Sequence, residues 1–214
     1  VTVIVGQQPV KHNYYTLEDY LRFDPKRGTV RTRNDEGVFL ATEDLIVGLQ
    51  AGLEQEVGDA SAVVLYRIGF KWGTQDMKRF ESNMLKEFGR EMRQMNVAFM
   101  LEEWWWPLQA MGWGAWEIDL KSKREQGLIL VNLYESAVAK TLGEIGKPVC
   151  HLYAGLLAGA LSYVANRELN GIEIQCYAMG ATFCRFVVGA EQKINAVQFW
   201  LEEGATAGDV VGRL

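Results

Sequence analysis

All three cysteines of this 214-residue chain lie between positions 150 and 184, and a glutamate, Glu173, stands among them. A fold for this chain has to accommodate that concentration. Residues 172–179 and 183–188 read as the strands of a hairpin, with Cys176 and Cys184 flanking its short connection. Such a hairpin brings both thiols near its turn. Cys150 opens the apolar, small-residue-rich stretch 150–169, read as a helix that leads into the same hairpin at Asn170-Gly171. Glu173 and Cys176 are an odd number of residues apart, so a regular strand would turn them to opposite faces. Convergence of all four therefore requires a bulge or a strand end near Gln175. Three thiolates and one carboxylate suit a borderline-soft divalent ion in tetrahedral coordination, which leaves no position for water. With no CxxC pair, the spacing alone leaves a second reading open, in which the cysteines are small buried apolar residues.

The rest of the chain supplies a body around this cluster. Tyr14, Tyr15, Leu17, Tyr20, Leu21 and Phe23 suggest a short amphipathic arm over residues 1–27. Residues 29–33 and 37–41 read as a hairpin around Asn34-Asp35-Glu36-Gly37. Thr42 or Asp44 caps a helix that ends near Gly58, and a second helix begins after Asp59. A third is predicted over 75–101, where Phe80, Met84, Phe88, Met92, Met95 and Phe99 form one stripe of period 3.6. Trp104-Trp105-Trp106-Pro107 interrupts it before a short helical piece to Met111. Strands over 113–120 and 127–134, a helix over 135–142 and a last helix over 191–202 complete the pattern, with a frayed glycine-containing tail from Gly204. This describes an α+β chain with an antiparallel sheet packed by helices.

Composition narrows the function. A net charge of −5 disfavours nucleic acid as a partner, because phosphate binding depends on clustered cations. The longest apolar run is too short to span a bilayer, no basic lipid-binding cluster is seen, and no signal peptide precedes it. A cytoplasmic location is expected, with peripheral membrane association left open, and a reducing compartment would keep the thiols reduced. The chain begins at Val1, so residues preceding it are not excluded.

Gly155-x3-Gly159 followed by Glu173-x2-Cys176-x3-Gly180-x3-Cys184-x-Phe186 resembles the C-terminal signature of the 4-vinyl reductase domain family. Leu65-Tyr66-x2-Gly69-x3-Gly73 and Gly112-Trp113-Gly114 resemble it too, and the likeness runs over about residues 28–189. The resemblance implies a ligand-binding fold shared with TRAPP vesicle-tethering subunits and usually found as dimers. It also implies a structural zinc on Cys150, Glu173, Cys176 and Cys184. The domain division it implies is an arm (1–27), a ligand-binding domain (28–189), and a C-terminal helix with a flexible tail (190–214).

The same resemblance implies an apolar pocket, whose wall is expected from Trp72, Phe99, Trp104, Trp105, Trp113, Trp116 and Tyr134. Neighbouring tryptophans cannot all face one way, so at least one of Trp104, Trp105 and Trp106 should meet solvent, a ligand or a partner. His12 and His151 do not fall where the family's phenol sensors place a ligand-contacting histidine, which argues against phenol sensing. No Gly-rich nucleotide loop and no nucleophile–base set is found, and Glu102 and Glu103 are expected to be solvated. Catalysis is left open, with a non-catalytic role preferred and no catalytic residue assigned. The expectation is a zinc-stabilised homodimer that binds a hydrophobic molecule, a chlorophyll-type tetrapyrrole or its precursor, as an auxiliary factor in pigment synthesis or photosystem assembly. A photosynthetic or membrane-protein partner would fit that role. The alternatives are a protein–protein adaptor docking through Trp104, Trp105, Trp106 and the arm, and a participant in vinyl reduction.

Overall fold

The computed structural model describes residues 16–214, together with the backbone of residues 2–5 and 8–9. The elements begin with β1 (Thr2–Val5), β2 (Gln8–Pro9), a single helical turn α1 (Leu17–Tyr20), β3 (Leu21–Asp24), β4 (Thr29–Thr32) and β5 (Gly37–Val38). Then come α2 (Glu43–Val57), α3 (Ala60–Phe88), α4 (Val97–Ala110), β6 (Ala115–Asp119), β7 (Ile129–Tyr134) and α5 (Ala137–Leu142). The chain continues through α6 (His151–Ala165), β8 (Asn170–Gln175), β9 (Cys184–Gly189), α7 (Glu191–Glu202) and α8 (Ala207–Arg213). Six strands form one sheet in the order β2-β1-β6-β7-β9-β8, antiparallel at every junction except the parallel pair β1 and β6. The strands β3, β4 and β5 make a small second sheet, which joins the expected arm to the segment after it. His12, Tyr14 and Tyr15 lie outside the described residues.

Strand alternation gives the large sheet two apolar faces. Trp116 and Ile118 of β6, Val131 and Leu133 of β7, and Phe186 and Val188 of β9 meet α4 and α6 on one face. Leu130, Ile174 and Val187 point the other way, under Ile194 and Val197 of α7 and Val210 of α8. The tail expected to fray is therefore folded: Thr206 and Asp209 form a reciprocal capping box at the start of α8, and Val210 is fully buried.

Between the sheet and α3, helix α6 is buried on every side from Leu152 to Leu161, which explains why its sequence is apolar all round. The two helices cross at glycines. A Cβ added at Gly69 or Gly73 would lie 2.0 Å from the carbonyl oxygen of Leu152 or Leu156. One at Gly155 or Gly159 would lie 2.0 or 2.1 Å from the carbonyl oxygen of Tyr66 or Phe70. Backbones thus touch on both sides.

That contact corrects the helix boundaries. Residues 60–88 form one helix, not two, because Gly69 and Gly73 are positions of close approach and do not end it. The predicted helix over 75–101 instead breaks at Gly89, whose left-handed backbone (φ +63°) caps α3 through its N–H to Leu85. A new helix starts at Asn96, whose side chain accepts from the N–H groups of Ala98 and Phe99. It runs straight through the tryptophans, so the interruption expected there does not occur. Finally, α6 ends at the left-handed Asn166, and Asn170-Gly171 belongs to the start of β8.

Candidate metal centre

Cys150 is the residue immediately before α6, Glu173 lies in β8, Cys176 follows that strand, and Cys184 opens β9. The bulge that the spacing demands is present: the β8–β9 register shifts between Glu173 and Gln175, after which Cys176 turns to the face that Glu173 occupies. All three cysteines are fully buried and reduced, and Glu173 is buried with them. One potential ligand atom from each of the four residues falls within 4.8 Å of all the others.

Three observations fit a cation. The Cys150 and Cys184 sulfurs are 3.6 Å apart, and those of Cys184 and Cys176 are 3.8 Å apart. A regular tetrahedron with zinc–sulfur bonds of about 2.3 Å has a sulfur–sulfur edge of about 3.8 Å, whereas a disulfide needs about 2.05 Å. Glu173 accepts the Cys150 backbone N–H on Oε2 at 2.9 Å, while its other oxygen, Oε1, is buried without a hydrogen-bond partner. A buried carboxylate oxygen with nothing to bind is costly unless a cation takes it. Without an ion, burial pushes the Cys150 thiol and the Glu173 carboxyl well up, and hydrogen bonds from Cys150 and Cys184 hold Cys176 low. A divalent ion would reverse the balance by favouring the charged form of every ligand. The cluster is able to hold a metal ion. His151 is not among the four; its imidazole is lowered by burial, next to the Pro148 backbone.

The expected pocket wall separates into three places. Trp104, Trp105, Trp113 and Trp116, with Trp72 at the edge, form a continuous lattice with Tyr153 and Phe186. Trp105 and Trp116 approach to 3.9 Å between ring centres, and Trp104 and Trp105 are both buried. Trp104 and Trp105 can both be buried because α4 lies against α3 on one side and β6 on another: Trp104 donates to Asp76, and Trp105 to the Gly114 carbonyl. Neither can form part of a docking face; Trp106 is half-buried against Tyr20. Tyr134 is not in the lattice. It follows the core-facing Leu133, so strand period turns it to the opposite face, where it stacks on Phe183 and donates to Glu117. Phe99, at the first turn of α4, meets Phe88 and lines a surface recess of about 400 Å³ with Met95 and Arg90.

The two glutamates beside the tryptophans are not solvated. Glu102 is 1% exposed, and Glu103 is half-buried, its carboxyl pushed up to about 7 by burial and by Glu87 and Glu102. One residue near the metal centre escapes the sequence reading: Ser136, fully buried, caps α5 and lies 3.5 Å from the Cys150 sulfur. A serine just before a predicted helix is the available signal.

Residues 129–190 match the family model of the 4-vinyl reductase domain, a span that contains all four candidate ligands and is narrower than the likeness carried by the motifs. An uncharacterized protein of Methanocaldococcus jannaschii is 22% identical over 180 residues, covering 83% of this chain and 88% of its own. A second from the same organism is 38% identical over 60 residues, 28% of this chain and 37% of that one. Among solved structures, the phenol-responsive sensory domain of the transcription activator PoxR, with phenol, superposes with a TM-score of 0.62. It is 20% identical, with 79% of this chain and 84% of that one covered, a likeness of fold. The motif, the match around the four ligands and the shared fold agree: this chain carries a domain of the 4-vinyl reductase family.

Proposed function

We propose that this chain is a zinc-stabilised protein of the 4-vinyl reductase domain family that binds a small hydrophobic molecule bearing one polar group, without catalysing a reaction on it. The observation that supports this most directly is Trp116. Its ring is 2% exposed, enclosed by Trp105, Tyr153 and Phe186, and its indole N–H is buried with no acceptor. An unmet buried donor costs about 1–3 kcal/mol. A guest that slips between the rings and offers a hydroxyl or carbonyl oxygen would satisfy it. The PoxR domain, which shares the fold, is described with phenol, a molecule of that kind. Because the rings are in contact, entry requires Trp105 and Trp116 to part.

Cys150, Glu173, Cys176 and Cys184 would hold the zinc, which supplies no reaction chemistry and fastens the β8–β9 hairpin to the start of α6. The finer reading is a chlorophyll-type tetrapyrrole or its precursor, bound in support of pigment synthesis or photosystem assembly. It rests on the family resemblance, and a macrocycle demands wider parting of the rings than a phenol does. An adaptor or homodimer is favoured by a different feature, the exposed apolar run Phe39 (76% exposed), Leu40, Leu45 and Leu49 leading into α2. No helix among the described residues is long and apolar enough to cross a membrane.

Tryptophan emission tests the ligand. Phenol and a soluble tetrapyrrole are titrated separately into the zinc-loaded protein and into Trp116→Phe, which keeps a ring but lacks the N–H. Saturable quenching that weakens in the variant supports the reading, and the better titrant selects the ligand class. Unchanged emission with both, and no adduct in native mass spectra, refutes it.

A further inference from the structure

We infer that Ser136 is a positioning residue for the metal, its hydroxyl donating to the Cys150 sulfur and fixing that thiolate as a ligand; the inference rests on the zinc-bound reading above. Three thiolates and a carboxylate carry four negative charges against the two of a divalent ion. The centre thus holds a net charge of about −2 inside the protein, where unscreened charge is expensive. Hydrogen-bond donors aimed at the ligands are the means of spreading it. The Cys150 backbone N–H serves Glu173 at 2.9 Å, and the Val149 backbone serves Cys176.

Cys150 itself is served by Ser136. The Ser136 Oγ lies 3.5 Å from the Cys150 sulfur, within reach of a hydrogen bond to sulfur, and the side chain has no exposure to solvent. Between a hydroxyl and a thiol either atom could donate. Once the sulfur is a metal-bound thiolate it has no proton, so the hydroxyl must be the donor. Its oxygen is already occupied as an acceptor, because the Ala139 N–H at the start of α5 donates to it at 3.2 Å. That bond fixes the oxygen and leaves its proton for the sulfur. Ser136 therefore does two separable things: it caps a short helix, and it ties the β7–α5 corner to the metal centre. Glycine or alanine at this position would lose both roles, and threonine would keep both.

Cobalt(II), exchanged into the full chain, reports on the sulfur directly through its thiolate-to-metal charge-transfer band. Loss of the donor leaves the thiolate more electron-rich. Ser136→Ala is therefore expected to move the band to lower energy and weaken metal retention against a chelator by about 10- to 100-fold. Ser136→Thr is expected to restore both. A purely capping role would lower the melting temperature of Ser136→Ala yet leave the band in place, and that result overturns the inference. Should the alanine variant fail to fold, cadmium-113 in the wild-type protein decides. A through-bond correlation between the metal and the Ser136 hydroxyl proton supports the inference, and its absence overturns it. If the wild-type chain takes up neither metal, the zinc reading itself has failed. If it takes them up and only the serine effects are missing, the zinc reading stands and the role of Ser136 falls.

Discussion

Replacing Gly155 by alanine tests the contact on which the fold depends most. The new Cβ would lie 2.0 Å from the Tyr66 carbonyl oxygen, 2.8 Å from its carbon and 2.9 Å from the Phe70 nitrogen. These are backbone atoms of α3, so no side-chain rotation relieves the clash. Restoring a tolerable separation near 3.0 Å requires the two helices to part by about 1 Å in an interior packed like a crystal. Alanine favours an isolated helix over glycine by about 1 kcal/mol. Overpacking a core costs about 1–3 kcal/mol, and more where neighbours cannot yield. Here the obstacle is rigid, and the reciprocal contacts at Gly69, Gly73 and Gly159 open together, so the steric cost prevails. We expect a net loss of at least about 2 kcal/mol, or roughly 4–8 °C in melting temperature for a domain of this size. Gly52→Ala is the control: Gly52 is exposed in α2, with nothing within 4 Å of an added Cβ, and the same substitution should stabilise there by up to about 1 kcal/mol. Thermal unfolding of the zinc-loaded proteins, side by side, reads the difference. A Gly155→Ala protein as stable as Gly52→Ala would refute the reasoning.

The half-buried Glu103, raised from an ordinary value of 4.5 to about 7, makes stability fall as pH rises between those values and level off above 7, because the native state holds a proton that the unfolded chain has lost. Urea titrations should show Glu103→Gln flattening that slope. Thr206→Ala removes half of the capping box of α8 and should cost about 1 kcal/mol by chemical denaturation, whereas a frayed tail would register nothing. Stripping the metal with a strong chelator should loosen β8, β9 and the first turns of α6 as one unit, read as a concerted loss of amide-exchange protection there.

Much of the site was legible because its logic is local. The odd spacing between Glu173 and Cys176 demanded an irregularity near Gln175, and the register shift falls there. Helix continuity was not legible, since whether Gly69 and Gly73 end a helix or admit a neighbour depends on α6, far away in the chain. The true stop at Gly89 was readable in principle, from a glycine following a lysine-bearing last turn, but the apolar stripe carried across it by chance of spacing. The burial of Trp104, Trp105 and Glu102 follows from α4 being covered on more than one side, and the parallel pairing of β1 with β6 joins segments over a hundred residues apart. Neither leaves a periodic trace. The separation of Tyr134 from the tryptophans could have been read from strand alternation beside Leu133.

X-ray absorption at the zinc edge, on protein purified without added chelator, goes most directly to the centre of the account. Cys150, Cys176, Cys184 and Glu173 should yield three sulfur neighbours at about 2.3 Å and one oxygen at about 2.0–2.2 Å, with one metal per chain. Protein that remains folded with no metal, or a first shell lacking sulfur, would contradict it.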